Sequence, residues 1–268
     1  MTMKAILTGA DGNLGRRIIE HADFECLPVS RGNWDSLNNI ETAEYQALIH
    51  CAYDLKTDIN DYPDTVLESN VVSTGKALRL CKEKQIPRMV FISSCSVYGD
   101  SSNSAEDKAC IPVSINGFTK LFNEELVKSF CDANAIDYLI LRPFNSYGGD
   151  DTFSVVRKLI SCARDKHSFT LVNEGIAERD FIHVADVAKV VCALAGTPLK
   201  REVINVGSGK SVRIIDLLHA VEERFGKISV VGKQKPGEAV YSRANINKLK
   251  KLVDLQAIDV FDFIRDLD

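Results

Sequence analysis

"LTGADGNLG", residues 7–15, ends a short apolar run, KAILT at 4–8, and opens a segment with helical spacing. Gly9, Gly12 and Gly15 recur in it at intervals of three. Between a strand and a helix such glycines have separate tasks: a tight turn, close approach of backbone to a pyrophosphate, and close packing of a helix whose N-terminus faces the phosphates. The strand–turn–helix setting that the pattern requires is present, so the stretch reads as a dinucleotide-binding turn with Gly9, Gly12, Asn13, Leu14 and Gly15 as cofactor positions. The competing reading is an ordinary βα turn that uses glycine for geometry alone.

Outward from that turn, short apolar runs alternate with helical segments. ALIHCA (47–52), RMVFISS (88–94) and YLILR (138–142) read as buried strands, and Leu67, Val71, Thr74, Leu78 and Cys81 fall on one predicted helix face. This βαβ rhythm predicts an α/β fold, a Rossmann-type doubly wound parallel sheet, with a smaller C-terminal substrate-binding lobe. The expected division is 1–145 for the NAD(P)-binding domain and 146–268 for the lobe, with the chain partly returning to the main domain around 177–206. FTLV (169–172), VINVG (203–207) and ISVVG (228–232) are the expected lobe strands, and Ile214, Leu218, Val221 and Phe225 a helix stripe. A site is expected in a cleft outside the carboxyl ends of the main strands.

The 268 residues are 45% hydrophobic and 26% charged with a net charge of -4, which predicts a folded chain. No run of lysines and arginines offers a footprint for nucleic acid or an anionic membrane. MTMKAILTGA runs straight into the first strand without a signal-peptide pattern, so a cytoplasmic protein is expected. Eight dispersed cysteines without a CxxC pair read as reduced thiols, and five dispersed histidines argue no metal site. At the end of the second strand, CLPVSRG (26–32), Ser30 and Arg31 stand where an NAD binder places an acid for the ribose 2′-hydroxyl. A guanidinium there suits a 2′-phosphate, so NADP is preferred, with NAD possible; a solvated surface arginine is the alternative.

Seven segments in order resemble an extended short-chain dehydrogenase/reductase of the nucleotide-sugar epimerase, dehydratase and reductase group. They are ALIHCAY, NVVSTGKAL opened by Asn70, FISSCSVYGD, LRPFNSYGG, ERDFIHVADVAKVV, INVGSGKSVRIIDL and ANINKLKKL, beside the GxxGxxG turn. The resemblance implies cofactor contacts at Cys51, Ala52, Tyr53, Asn70, Ser93, Lys120 and Pro143. It implies that Ser94 holds the reacting oxygen and that Lys120 bonds the nicotinamide ribose. Ser94, Ser96, Asn145, Arg179 and Arg243 are the implied contacts to a nucleotide-sugar substrate. The catalytic set is Ser94, Asn116 and Lys120, with one departure: the family's tyrosine, four residues before the lysine, is Asn116 in SINGFTK (114–120).

Hydride transfer at a sugar carbon requires a proton to move on the oxygen, and an asparagine amide cannot titrate. Asn116 can still hold the oxygen or a water beside Ser94, a partial oxyanion hole. Three accounts follow. Another acid serves, whether a water on Lys120 and Asn116, Tyr98, Tyr147 or a carboxylate; or hydride chemistry is lost and a silent cofactor-binding protein remains; or the asparagine was introduced. Cys95 and Ser96 replace the Asp-Glu pair of the family's 4,6-dehydratases, which disfavours dehydration. The expected activity is a 4-ketoreductase of a deoxy-sugar nucleotide, with a UDP-glucose-4-epimerase-like C4 epimerase as the alternative. His183, Cys95 and Trp34 read as packing residues. Leu121, Phe122, Leu126, Val127 and Phe130 exceed one buried helix face, so a homodimer is expected.

Overall fold

The central strands of the main sheet form where apolar residues run with little polar interruption, and the computed structural model describes residues 2–55, 57 and 61–267. The chain begins with β1 (Lys4–Thr8), α1 (Asn13–His21), β2 (Glu25–Val29) and β3 (Ala47–His50), then α2 (Pro63–Leu67), a π-helical turn (Glu68–Val72) and α3 (Ser73–Glu83). Next come β4 (Arg88–Ile92), β5 (Ser101–Ser104), α4 (Ile115–Ala133), β6 (Asp137–Pro143), β7 (Asn145–Tyr147), α5 (Val155–Asp165) and β8 (Ser168–Val172). The rest comprises β9 (Glu178–Arg179), β10 (Phe181–His183), α6 (Val184–Ala195), β11 (Glu202–Val206), β12 (Val212–Arg213), α7 (Ile214–Phe225), β13 (Ser229–Lys233), β14 (Tyr241–Ala244), α8 (Asn247–Leu252) and α9 (Val260–Asp266).

A six-stranded Rossmann-like sheet runs β11-β6-β4-β3-β1-β2. The pairs β1–β2, β1–β3, β3–β4 and β4–β6 are parallel. Thr8 is in register with both Val29 and His50, so the loops after β2 and β3 emerge on either side of the turn after β1. Ile6, Leu48, Met89, Phe91 and Ile140 form the core with Leu78 and Val127 from the helices. His50 is buried in it between the Thr8 hydroxyl, 2.6 Å from Nδ1, and that of Thr74, 3.2 Å from Nε2. Burial pulls its imidazole down to about 3, so the ring is neutral.

The chain divides into two compact units at points other than 145. The first comprises Met1–Ser94, Ile115–Arg142 and Ala188–Ile204; the second comprises Cys95–Ser114, Pro143–Val187 and Asn205–Asp268. Residues 95–114 fall in the second unit because β5 pairs with β14, a partner far along the chain. The returning segment is 188–204 rather than 177–206. VINVG, expected in the lobe, supplies the edge strand β11 beside β6.

The predicted stripe from Leu67 also needs correction, since Leu67 is half exposed while Val66 and Asn70 are buried. The π-helical turn inserts an extra residue, which rotates the preceding helix relative to α3. In the second unit α5, α7 and α9 pack Leu159, Leu217, Val221 and Ile264 around Tyr147. No disulfide joins any of the eight cysteines. Among the described residues, no helix is long and apolar enough to cross a membrane.

Candidate functional site

The turn after β1 is built for close approach. Gly9 has φ +73°, and a Cβ there would stand 2.6 Å from the Ala52 backbone nitrogen. A Cβ on Gly15 would run into the Gly9 carbonyl oxygen. Gly12 caps α1 without any side-chain acceptor, and the first turn of the helix carries no acidic residue. Positive helix-end potential and backbone N–H groups therefore face outward at a place where only glycine fits. These features fit a dinucleotide pyrophosphate over Gly12, Asn13 and Leu14, with Cys51, Ala52 and Tyr53 on the neighbouring loop.

Ser93 and Ser94 follow β4, and Asn116 and Lys120 lie one turn apart on α4, all within the first unit. Lys120 is buried, 7% exposed, and its Nζ donates to the Ile92 carbonyl at 2.7 Å. The same ammonium sits 3.7 Å from the centre of the Tyr53 ring. Burial pulls Lys120 down to about 7, with Cys51 and Glu124 opposing the shift. Ser93 has another task than the expected cofactor contact, because its hydroxyl donates to Glu124 Oε1. Glu124 also accepts from Arg142, Nε at 2.9 Å and Nη2 at 2.6 Å, in a buried bidentate pair. Ser94 and Asn116 are half-buried.

On the loop after β2, Arg31 is 78% exposed at its side chain and pairs with Asp54, Nη2 to Oδ2 3.1 Å. Asp54 itself is held on both sides by Asn70, which accepts from the Asp54 backbone N–H at 2.6 Å and donates to its carbonyl at 2.9 Å. The side chain of Asn70, an expected cofactor position, thus fixes the loop after β3. Asn123 donates to the Asn70 carbonyl at 2.7 Å, which ties α4 to the same support. Asp54, Glu124 and Asn123 were not singled out from sequence. The legible signals were an acid three residues past the small-residue turn, and Asn-Glu on the apolar side of a helix.

In the second unit, Ser96 lies in a short 3-10 turn, Cys95–Val97, and Pro143 ends β6, buried. Asn145 donates from Nδ2 to the Asp180 carbonyl at 2.8 Å. The guanidinium of Arg179 donates to the carbonyls of Glu178, Ala239 and Val240 and pairs with Glu238 at 3.5 Å. Arg243 is exposed on β14. Asn145 and Arg179 thus carry intramolecular bonds where substrate contacts were expected. Buried Asp180 accepts from Ser208, Gly209 and Ala244 and organises the unit; desolvation pushes its carboxyl up.

Tyr98 and Tyr147, the expected alternative acids, are both buried in this unit. Tyr98 donates to Asn205 Oδ1 at 2.8 Å and Tyr147 to the Ile258 carbonyl at 2.8 Å. His183 accepts from the Ala185 N–H and packs on Tyr147 and Phe263.

A model described as the NAD dependent epimerase/dehydratase family matches residues 5–207. A Bacillus subtilis protein, "Uncharacterized UDP-glucose epimerase YtcB", is 28% identical over 189 residues, 69% of this chain and 60% of its own length. A putative UDP-glucose 4-epimerase of Methanocaldococcus jannaschii is 29% identical over 271 residues, 97% of this chain and 86% of its own. Among solved structures, the UDP-glucuronic acid 4-epimerase of Bacillus cereus, in complex with UDP-glucuronic acid and NAD, is 25% identical at a TM-score of 0.85, covering 98% of this chain and 96% of that one.

Proposed function

Because this chain belongs to the NAD-dependent epimerase/dehydratase family, we propose that it inverts the C4 carbon of a uridine diphosphate sugar. The observation that carries the reading is Lys120, buried in the unit that holds the glycine turn and Ser94 and pulled down to about 7 by that burial, at the position where the resemblance implies the family's lysine. The relatives named above as 4-epimerases support the C4 position and the uridine nucleotide. When bound, NAD would supply an acceptor and donor of hydride at the sugar carbon. Ser94 and Asn116 would hold the C4 oxygen between a hydroxyl and an amide, and Lys120 would bring positive charge to the same place.

The reductase expectation gives way here. It leaned on NADP, and NADP leaned on Arg31, whose guanidinium is engaged by Asp54. An arginine so paired offers a 2′-phosphate less than a free one does, which agrees with an NAD-dependent family. Asp54→Ala, by releasing Arg31, should raise affinity for adenosine 2′,5′-bisphosphate at least fivefold while leaving that for adenosine 5′-monophosphate within twofold. Calorimetry that finds both ligands unchanged would remove the pair from cofactor choice.

The deciding assay incubates the purified protein with UDP-glucose and UDP-glucuronic acid, resolves the C4 epimers by chromatography, and extracts the bound nicotinamide nucleotide. Epimer formation with co-purified NAD is the expected result. Binding of both sugars without conversion, and without any rise in absorbance from reduced nicotinamide, would leave a silent binding protein. A homodimer belongs to the same reading. Phe118 and Phe122, four residues apart on α4, are each 56% exposed, whereas Val127 of the expected stripe is in the core. Sedimentation at the monomer mass at micromolar concentration would refute the dimer.

A further inference from the structure

We propose that Tyr53 supplies the phenol that position 116 lacks, taking the proton from the sugar C4 hydroxyl and returning it to the keto oxygen; this rests on the epimerase reading above. The site needs a group that titrates on oxygen, and the amide of Asn116 does not. Seven tyrosines are available. Tyr98 and Tyr147 are held in the second unit, Tyr62 and Tyr241 are exposed, and Tyr45 lies beside Lys4 and Glu44 at the amino end of β1. Tyr138 stands near the start of β6, close to Asp132 and Lys128. Among the described residues, Tyr53 is the tyrosine whose ring meets Lys120.

Its placement answers the loss at 116. Tyr53 follows β3, on the same edge of the sheet as the glycine turn, and packs its ring on the Lys120 ammonium at 3.7 Å. The Thr119 side chain acts on the Tyr53 hydroxyl, favouring the ionised form against the effect of burial. Thr119 comes three residues after Asn116 on α4, a spacing that makes the two neighbours on a helix surface, with Cβ atoms about 5–6 Å apart. The Tyr53 hydroxyl therefore reaches the helical turn from which a tyrosine at 116 would extend. Thr119 itself donates to the Ile115 carbonyl at 2.9 Å, which fixes its side chain on that turn.

The electrostatics suit both halves of the reaction. Burial pushes the phenol up to about 12, so it is protonated and able to act as an acid at neutral pH. Its phenolate spreads negative charge into the ring, over which the Lys120 ammonium lies, so the base form is stabilised whenever that amine is charged. In the oxidising half the sugar O–H would break and its proton would go to Tyr53 Oη in its phenolate form, and a bound NAD would supply the hydride acceptor for C4. In the reducing half the phenol O–H would break and its proton would go to the keto oxygen, with the hydride supplied from the same cofactor, so nothing is consumed.

The test follows ζ-13C-tyrosine signals against pH in the NAD-saturated protein, beside turnover of the sugar. One phenol, absent from the spectrum of Tyr53→Phe, should titrate at least two pH units lower in the NAD-saturated protein, beside the positive nicotinamide, than in the nucleotide-free protein. Tyr53→Phe should slow epimerisation at least 100-fold and recover at least tenfold when Asn116→Tyr is added. A Tyr53 signal that NAD lowers by less than two pH units, or a Tyr53→Phe turnover within threefold of the original, would overturn the proposal. If no uridine diphosphate sugar is converted at all, the epimerase reading fails by itself. The titration still decides Tyr53, because it needs NAD and no sugar.

Discussion

Arg142→Ala should lower the free energy of unfolding by about 3–5 kcal/mol, measured by urea denaturation at pH 7. The guanidinium is 2% exposed and Glu124 is fully buried, so truncating one partner leaves the other's charge in the core with only Ser93 to hydrogen-bond it. Putting apolar residues at both positions removes the charge that the single change strands. Arg142→Met combined with Glu124→Leu should therefore lose less than Arg142→Ala alone. A single variant within 1 kcal/mol of the original, or a double variant worse than the single, would show that the pair is not buried as described. The pair joins α4 to β6, and α4 carries Asn116 and Lys120, so cofactor-dependent turnover should fall with it.

Lys120→Met should move activity and stability in opposite directions. On the epimerase reading, loss of its ammonium is expected to slow hydride transfer about 10²–10⁴-fold. Stability should instead rise at neutral pH. The folded value of about 7 lies below the ordinary 10.5, so between these values the unfolded chain holds a proton that the folded chain does not. Wild-type stability therefore increases as pH climbs from 7 towards 10.5, and this contribution is absent below 7. The gap corresponds to a penalty on the order of 5 kcal/mol at or below pH 7, partly offset by the hydrogen bond to Ile92. Urea denaturation at pH 6.5 and pH 9.5 checks the sign: the variant's advantage should be larger at pH 6.5. An advantage that grows with pH would place the lysine in contact with water.

Much of the first unit was legible along the chain, because its signals are local. The glycine turn sits where sequence placed it, since a positive φ at Gly9 and the contact of Gly15 with the Gly9 carbonyl depend on residues a few positions apart. The strands β1, β3, β4 and β6 could be read because a strand buried on both faces must be continuously apolar. That Asn116 stands one turn before Lys120 was likewise legible, and the resemblance implies a tyrosine at that position.

What the tertiary structure alone decided is which partner each polar group takes. Arg31, read as a 2′-phosphate ligand, meets Asp54 because β2 and β3 flank β1 and their loops emerge together, 23 residues apart in the chain. Ser93 and Asn70, expected cofactor positions, take Glu124 and the Asp54 backbone as partners. Tyr53 stands on Lys120, far from it in sequence, because a parallel sheet brings the ends of its strands to one edge. Sequence by itself determined the α/β fold and the glycine turn, since backbone conformation and burial are written in neighbouring residues. The division into units and the pairing of charges came from long-range packing, whose partners no local pattern encodes.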